Sequence, residues 1–129
     1  MPEQARQESM KSSQPIDWDM KDLLERLDGD RELLHELLGM FREDVWVNLE
    51  KARKAKSERD FESLARTGHT LRGTLTNLSM RAAAETAAAL ERAARENRQG
   101  DCEQQLDRLV KELEGILPEV EAHLAGVRS

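Results

Sequence analysis

The chain has 129 residues, 38% hydrophobic and 36% charged, with three prolines, no tyrosine and only four other aromatics; this leaves room for one domain whose modest core is built from leucine and alanine. Twenty basic against 26 acidic side chains give a net charge of −6, which excludes a general attraction to nucleic acid or to an anionic membrane. A single cysteine, Cys102, cannot close an internal disulfide, and there is neither a secretory h-region nor a long apolar span, so the chain reads as cytoplasmic and not membrane-bound.

Residues 1–15 are polar, aperiodic and end at Pro15, the pattern of a disordered segment or linker. A helical domain is expected over residues 16–126. Its first element is a short helix from Ile16 to Leu27, capped by Asp17 or Asp19 and stopped by Gly29. Asp30 then caps a long helix whose buried side is Leu34, Leu37, Leu38, Phe41, Val45, Leu49 and Ala52. Its acids come early and its KARKAK run late, the order the helix dipole favours. Ser57 and Asp60 mark the next start. After the helix they open, an alanine-rich helix is expected from Ser79 to Asn97 with Met80, Ala83, Ala87, Leu90 and Ala94 inward. Its pairs Arg81/Glu85 and Glu91/Arg95 stand at i, i+4 on the exposed side. NRQGD is the break before a last helix, Asp101 to about Leu124, in which Gly115 and Pro118 predict a kink near Glu114. Short connections between long amphipathic helices predict an all-α fold, an up-and-down antiparallel four-helix bundle with a short additional N-terminal helix, and a monomer.

The stretch from Asp60 to Ser79 carries the chemistry. On a helical wheel Phe61, Leu64, Ala65, Leu71 and Leu75 fall within a sector roughly 120° wide, the core stripe. His69, Arg72, Gly73 and Thr76 stand at i, i+3, i+4 and i+7 and form a polar strip that starts at its edge and turns outward. Gly73 leaves a gap one turn beyond the histidine, where another molecule can approach, or where a helix can pack closely. No other constellation competes. His35 and His123 are isolated, and there is no HExxH, paired CxxC, GxGxxG, GxxxxGK[ST] or nucleophile-elbow motif, so neither a metal site nor a nucleotide site is expected.

The order His69-Thr70-Leu71-Arg72-Gly73, followed by Asn77-Leu78-Ser79, resembles the phosphoacceptor motif of histidine phosphotransfer (HPt) domains, H-x-L-K-G with a small residue, often glycine, ten positions after the histidine. Arg72 stands where the family has lysine, and Ser79 where glycine is usual. The Leu27-Asp28-Gly29-Asp30 turn, Phe41, the alanine-rich helix and the Gly100-Asp101 break also suit this family, over roughly Ile16 to Leu124. The resemblance implies a phosphocarrier rather than an enzyme. His69 would accept a phosphoryl group from the aspartyl phosphate of a receiver, or from a hybrid sensor histidine kinase, and hand it to a response-regulator receiver. The receiver would bring the acceptor aspartate, the acidic pocket and Mg²⁺, so this chain needs no cofactor. Arg72 would lend charge to the phosphoryl oxygens, and Gly73, Thr76, Ala65 and Glu91 would face the partner. Counting turns back from Ser79 also brings Glu91 near the imidazole.

Two other readings carry less weight. The dimerisation domain of a sensor kinase resembles H-E-x-x-x-P, whereas Thr70 follows the histidine here and Thr74 stands in place of the proline. A non-catalytic helical adaptor would use Trp46 and Val47, which lie off the main stripe of their helix, as an exposed docking patch.

Overall fold

Three aspartates open the first three helices. Asp19, Asp30 and Asp60 each accept, through the side chain, the amide three residues on, at 3.0 Å from Asp22, 3.0 Å from Leu33 and 3.1 Å from Ser63, satisfying a donor that the helix itself leaves unpaired. The computed structural model describes residues 18–126, within which five helices and no strand occur: α1 (Met20–Arg26), α2 (Arg31–Ser57), α3 (Phe61–Asn77), α4 (Arg81–Arg95) and α5 (Gln99–Leu124). The predicted linker over residues 1–15 and the candidate cap Asp17 lie outside the described residues.

Successive helices are joined by one device used four times. After each of α1 to α4 comes a residue in the left-handed region, Asp28 (φ 55°), Arg59 (57°), Ser79 (60°) and Asn97 (57°). The next amide turns back to a carbonyl five residues earlier: Gly29 to Leu24, Asp60 to Ala55, Met80 to Leu75 and Arg98 to Ala93. The left-handed residue itself donates to the carbonyl three residues back, as Ser79 does to Thr76 at 3.1 Å. These are Schellman turns, built here without glycine at the position that usually demands it. In three of the four junctions the residue that closes one helix is also the N-cap of the next: Asp60, Met80 and Arg98.

The helix bounds differ from the sequence expectation where this device operates. α4 runs from Arg81 to Arg95 rather than from Ser79 to Asn97, because Ser79 and Asn97 are the left-handed residues of the flanking turns. α5 begins at Gln99 instead of Asp101, so Gly100 sits in its first turn and is no break. It then continues as one helix through Gly115 and Pro118 to Leu124.

The core is leucine and alanine with Phe41, Val45, Met80, Cys102, Ile116 and Val120, none more than 8% exposed. α2 packs against α3 and α5, and α4 against α3 and α5, with α3 on α4 the most extensive of these contacts. The start of α2 meets the end of α5: His35 Nε2 lies 3.2 Å from the Leu124 carbonyl, and Arg42 bonds Glu121 at 3.1 Å. α1 is fastened to the α3–α4 turn. Trp18 donates Nε1–H to the Leu78 carbonyl at 2.9 Å, and the Asp19 amide donates to the Ser79 carbonyl at 3.1 Å. Among the described residues no helix is long and apolar enough to cross a membrane.

Candidate functional site

Two glycines on α3 do opposite things. A Cβ on Gly68 would stand 3.2 Å from the Glu91 amide nitrogen and 3.3 Å from its Cα, so at this residue the α3 and α4 backbones lie in close contact. A Cβ on Gly73 would meet nothing within 4 Å, and Gly73 is exposed. Close helix packing, one of the two reasons for a glycine at this place, therefore belongs to Gly68, and Gly73 simply leaves the surface low beside the histidine.

That close approach brings α4 side chains up to His69. The His69 ring is 59% exposed, while the Glu91 side chain beside it is only 13% exposed. His69 Nδ1 lies 3.3 Å from Glu91 Oε2 and 3.2 Å from Arg72 Nη2. Arg72 also reaches Glu91, with Nε 3.5 Å from Oε1. Arg95 anchors the carboxylate from the far side, donating Nη2–H at 2.7 Å and Nε–H at 3.2 Å to Oε2. Burial works against the charged form of Glu91, but the hydrogen bonds from Arg95 and His69 outweigh it, and the carboxyl is held below its usual range.

The two contacts on Nδ1 compete, since one needs a proton on that nitrogen and the other a lone pair. Glu91 is an ionised acceptor, nearly buried and fixed by Arg95; Arg72 is 43% exposed and free to turn toward solvent. With the proton on Nδ1 the ring donates to Glu91 and the lone pair lies on Nε2; with the proton on Nε2 the ring accepts from Arg72 through Nδ1 instead.

The other residues predicted for the site divide. Gly73 and Thr76 are exposed on α3 beyond His69, and the Thr76 carbonyl accepts a long bond, 3.4 Å, from Arg26 of α1. Ala65 does not belong with them. It is 4% exposed, lying one turn before Gly68 on the side of α3 that packs against α4, so it contributes to the core and offers a partner no surface. The sequence reading missed Arg95, taking Glu91/Arg95 for a surface pair. The signal was present in the position of Glu91, one turn beyond the buried Ala87 and hence on the inner edge of α4.

Ser79 closes the far end of the strip. Its side chain is buried, and Oγ donates to Asp22 Oδ2 at 2.7 Å and accepts from Arg26 Nη1 at 2.8 Å. Among the described residues no group of three or more His, Cys, Asp or Glu side chains is placed to hold a metal ion.

Comparison with known families gives a match to the Hpt domain over residues 36–123, about two thirds of the chain. The chain belongs to the Hpt domain family. No curated protein and no solved structure matches it. Hpt domains are helical bundles that serve histidine phosphotransfer in phosphorelays, working with receiver domains and kinases as phosphocarriers rather than as true catalysts. The matched span holds the whole of α3 and α4 and therefore the cluster of His69, Arg72, Glu91 and Arg95, while α1 lies before it.

Proposed function

We propose that this Hpt domain accepts a phosphoryl group on His69 Nε2 and passes it on to the aspartate of a receiver. What supports this reading is the exposed His69, whose Nδ1 faces a carboxylate held by Arg95; in the tautomer that donates Nδ1–H to Glu91, the Nε2 lone pair is the nucleophile. In the forward step the Nε2 lone pair attacks the phosphorus of a receiver's aspartyl phosphate; the N–P bond forms, the acyl P–O bond breaks and the aspartate leaves as a carboxylate. Nδ1 keeps its proton throughout, so the phosphorylated ring is an imidazolium, and the Glu91 carboxylate stabilises that charge. No base is needed. The reverse step returns the group to a second receiver.

Arg72 turns outward from its weak contact with Glu91 to pair with the phosphoryl oxygens, and Gly73 and Thr76 let the receiver approach closely. The receiver supplies the acidic pocket and Mg²⁺, in keeping with a process that is mostly positioning and charge stabilisation. α2, α3, α4 and α5 form the four-helix up-and-down bundle within a domain spanning residues 16–126, with α1 as the additional helix. The protein acts in the cytoplasm as a monomer, between a hybrid sensor kinase and a response regulator.

The test is labelling. The protein should remain unmodified with ATP alone and take up an acid-labile, alkali-stable phosphate from a phosphorylated receiver. His69→Gln should fold and accept none, His35→Gln and His123→Gln should behave as wild type, and Arg72→Ala should slow transfer by roughly ten- to a hundredfold with helicity unchanged. Phosphate on a folded His69→Gln protein would overturn the assignment.

A further inference from the structure

The large hydrophobic side chains that remain exposed among the described residues, Leu33, Met40, Trp46 and Val47, all lie on α2. Leu33, Met40 and Val47 are 37%, 60% and 54% exposed and stand seven residues apart, so they form one row along the helix with only a slow drift of about 20° per heptad. Directly beside it runs a second row at the same spacing, Glu36, Glu43 and Glu50, every member exposed. Alternating in sequence as i, i+3, i+7, i+10, i+14 and i+17, the two rows trace the seam of a coiled coil in which one of the two lines is acidic instead of apolar. A helix face evolved only for solvent has no reason to keep three large apolar groups in register over two heptads.

We propose that this face of α2 is a docking surface for a basic amphipathic helix of another protein, distinct from the His69 strip, one whose apolar row covers Leu33, Met40 and Val47 and whose flanking lysines or arginines meet Glu36, Glu43 and Glu50. The charge decides between occupants. A second copy packed antiparallel on the same face sets its glutamate row against this one, with like charges opposed along the seam. A basic helix turns the same row into the attractive edge of the interface and sets the register. Glu50 already shares its carboxylate with Arg53 at 2.8 Å, so Glu36 and Glu43 carry most of the selectivity.

The experiment uses the full chain and a synthetic helix of about three heptads, with leucine in one row and lysine in the other, followed by amide chemical shifts. A matched peptide with glutamate in place of lysine is the second probe. The lysine peptide should bind saturably with shifts concentrated on α2, and Met40→Glu or Val47→Glu should weaken it roughly tenfold or more while helicity is unchanged. Glu36→Lys/Glu43→Lys should lose the lysine peptide and gain the glutamate peptide. The proposal is overturned if the lysine peptide does not saturate, if neither apolar substitution weakens it, or if the charge-reversed protein keeps its preference. It is equally overturned if wild type sediments as a dimer that Val47→Glu dissolves.

Discussion

Gly68 and Gly73 sit five residues apart on α3, and their tolerance of a methyl group should have opposite signs. A Cβ on Gly68 presses on the Glu91 backbone, which cannot move without displacing α4. Gly68→Ala should therefore destabilise by about 1–3 kcal/mol in denaturant unfolding, despite its better helix propensity. Gly73→Ala has open space and should gain about 0.5–1 kcal/mol. Glu91 supplies a second test at this scale. Its folded carboxyl titrates below the usual value of 4.5, so its contribution is complete above that pH and is lost as the pH falls through the lowered value. Wild type should lose more stability between pH 5 and pH 3 than Glu91→Gln, and parallel curves would show that the carboxylate is not held by Arg95 and His69. The sequence made His69, Arg72 and Gly73 legible because a strip on one helix is a matter of spacing. Ala65 was legible as a core-stripe residue, and its burial upholds that place over the partner face; for Arg95 only the inner-edge position of Glu91 was legible, since its grip on the carboxylate beside His69 depends on how closely α4 approaches at Gly68.

At the level of the helices, the starts that carry a side-chain cap were the easiest to read. Asp30 and Asp60 announce themselves as caps, with the side-chain acceptor that an N-terminus requires. The stops hide because Asp28, Arg59, Ser79 and Asn97 take a left-handed conformation that sequence reading assigns first to glycine. Of these, Arg59 is exposed and non-β-branched with nothing in the turn that requires its side chain, so Arg59→Gly should raise stability by about 1 kcal/mol. Ser79 differs, since its hydroxyl joins Asp22 and Arg26 of α1 to the end of α3. Ser79→Ala keeps the backbone strain and loses both bonds, and should cost about 1–3 kcal/mol. Ser79→Gly relieves the strain while losing the same bonds, and should fall between alanine and wild type. Thermal unfolding of the three proteins orders them directly. The family's usual glycine at this place is thus explained by the backbone, and the serine here by what its side chain holds.

For the molecule as a whole, the short junctions that spoiled the predicted boundaries also govern how it comes apart. Met80 donates to the Leu75 carbonyl to finish α3 and accepts from the Ala84 amide to begin α4. Asp60 and Arg98 serve their two helices in the same double capacity. Fraying of one helix end therefore removes the first hydrogen bond of its neighbour, and opening has no natural place to stop between them. Native-state hydrogen exchange should find the amides of Met80 and Ala84 opening as one cooperative unit, with a common dependence on denaturant. The same should hold for the pairs Asp60 with Leu64 and Arg98 with Cys102, each of which joins the last bond of one helix to the first of the next. Separate exchange of the two members of a pair would show that the junctions do not couple the helices. If they do, the helix that bears His69 cannot loosen alone, and the imidazole keeps its partners for as long as the whole bundle stays closed.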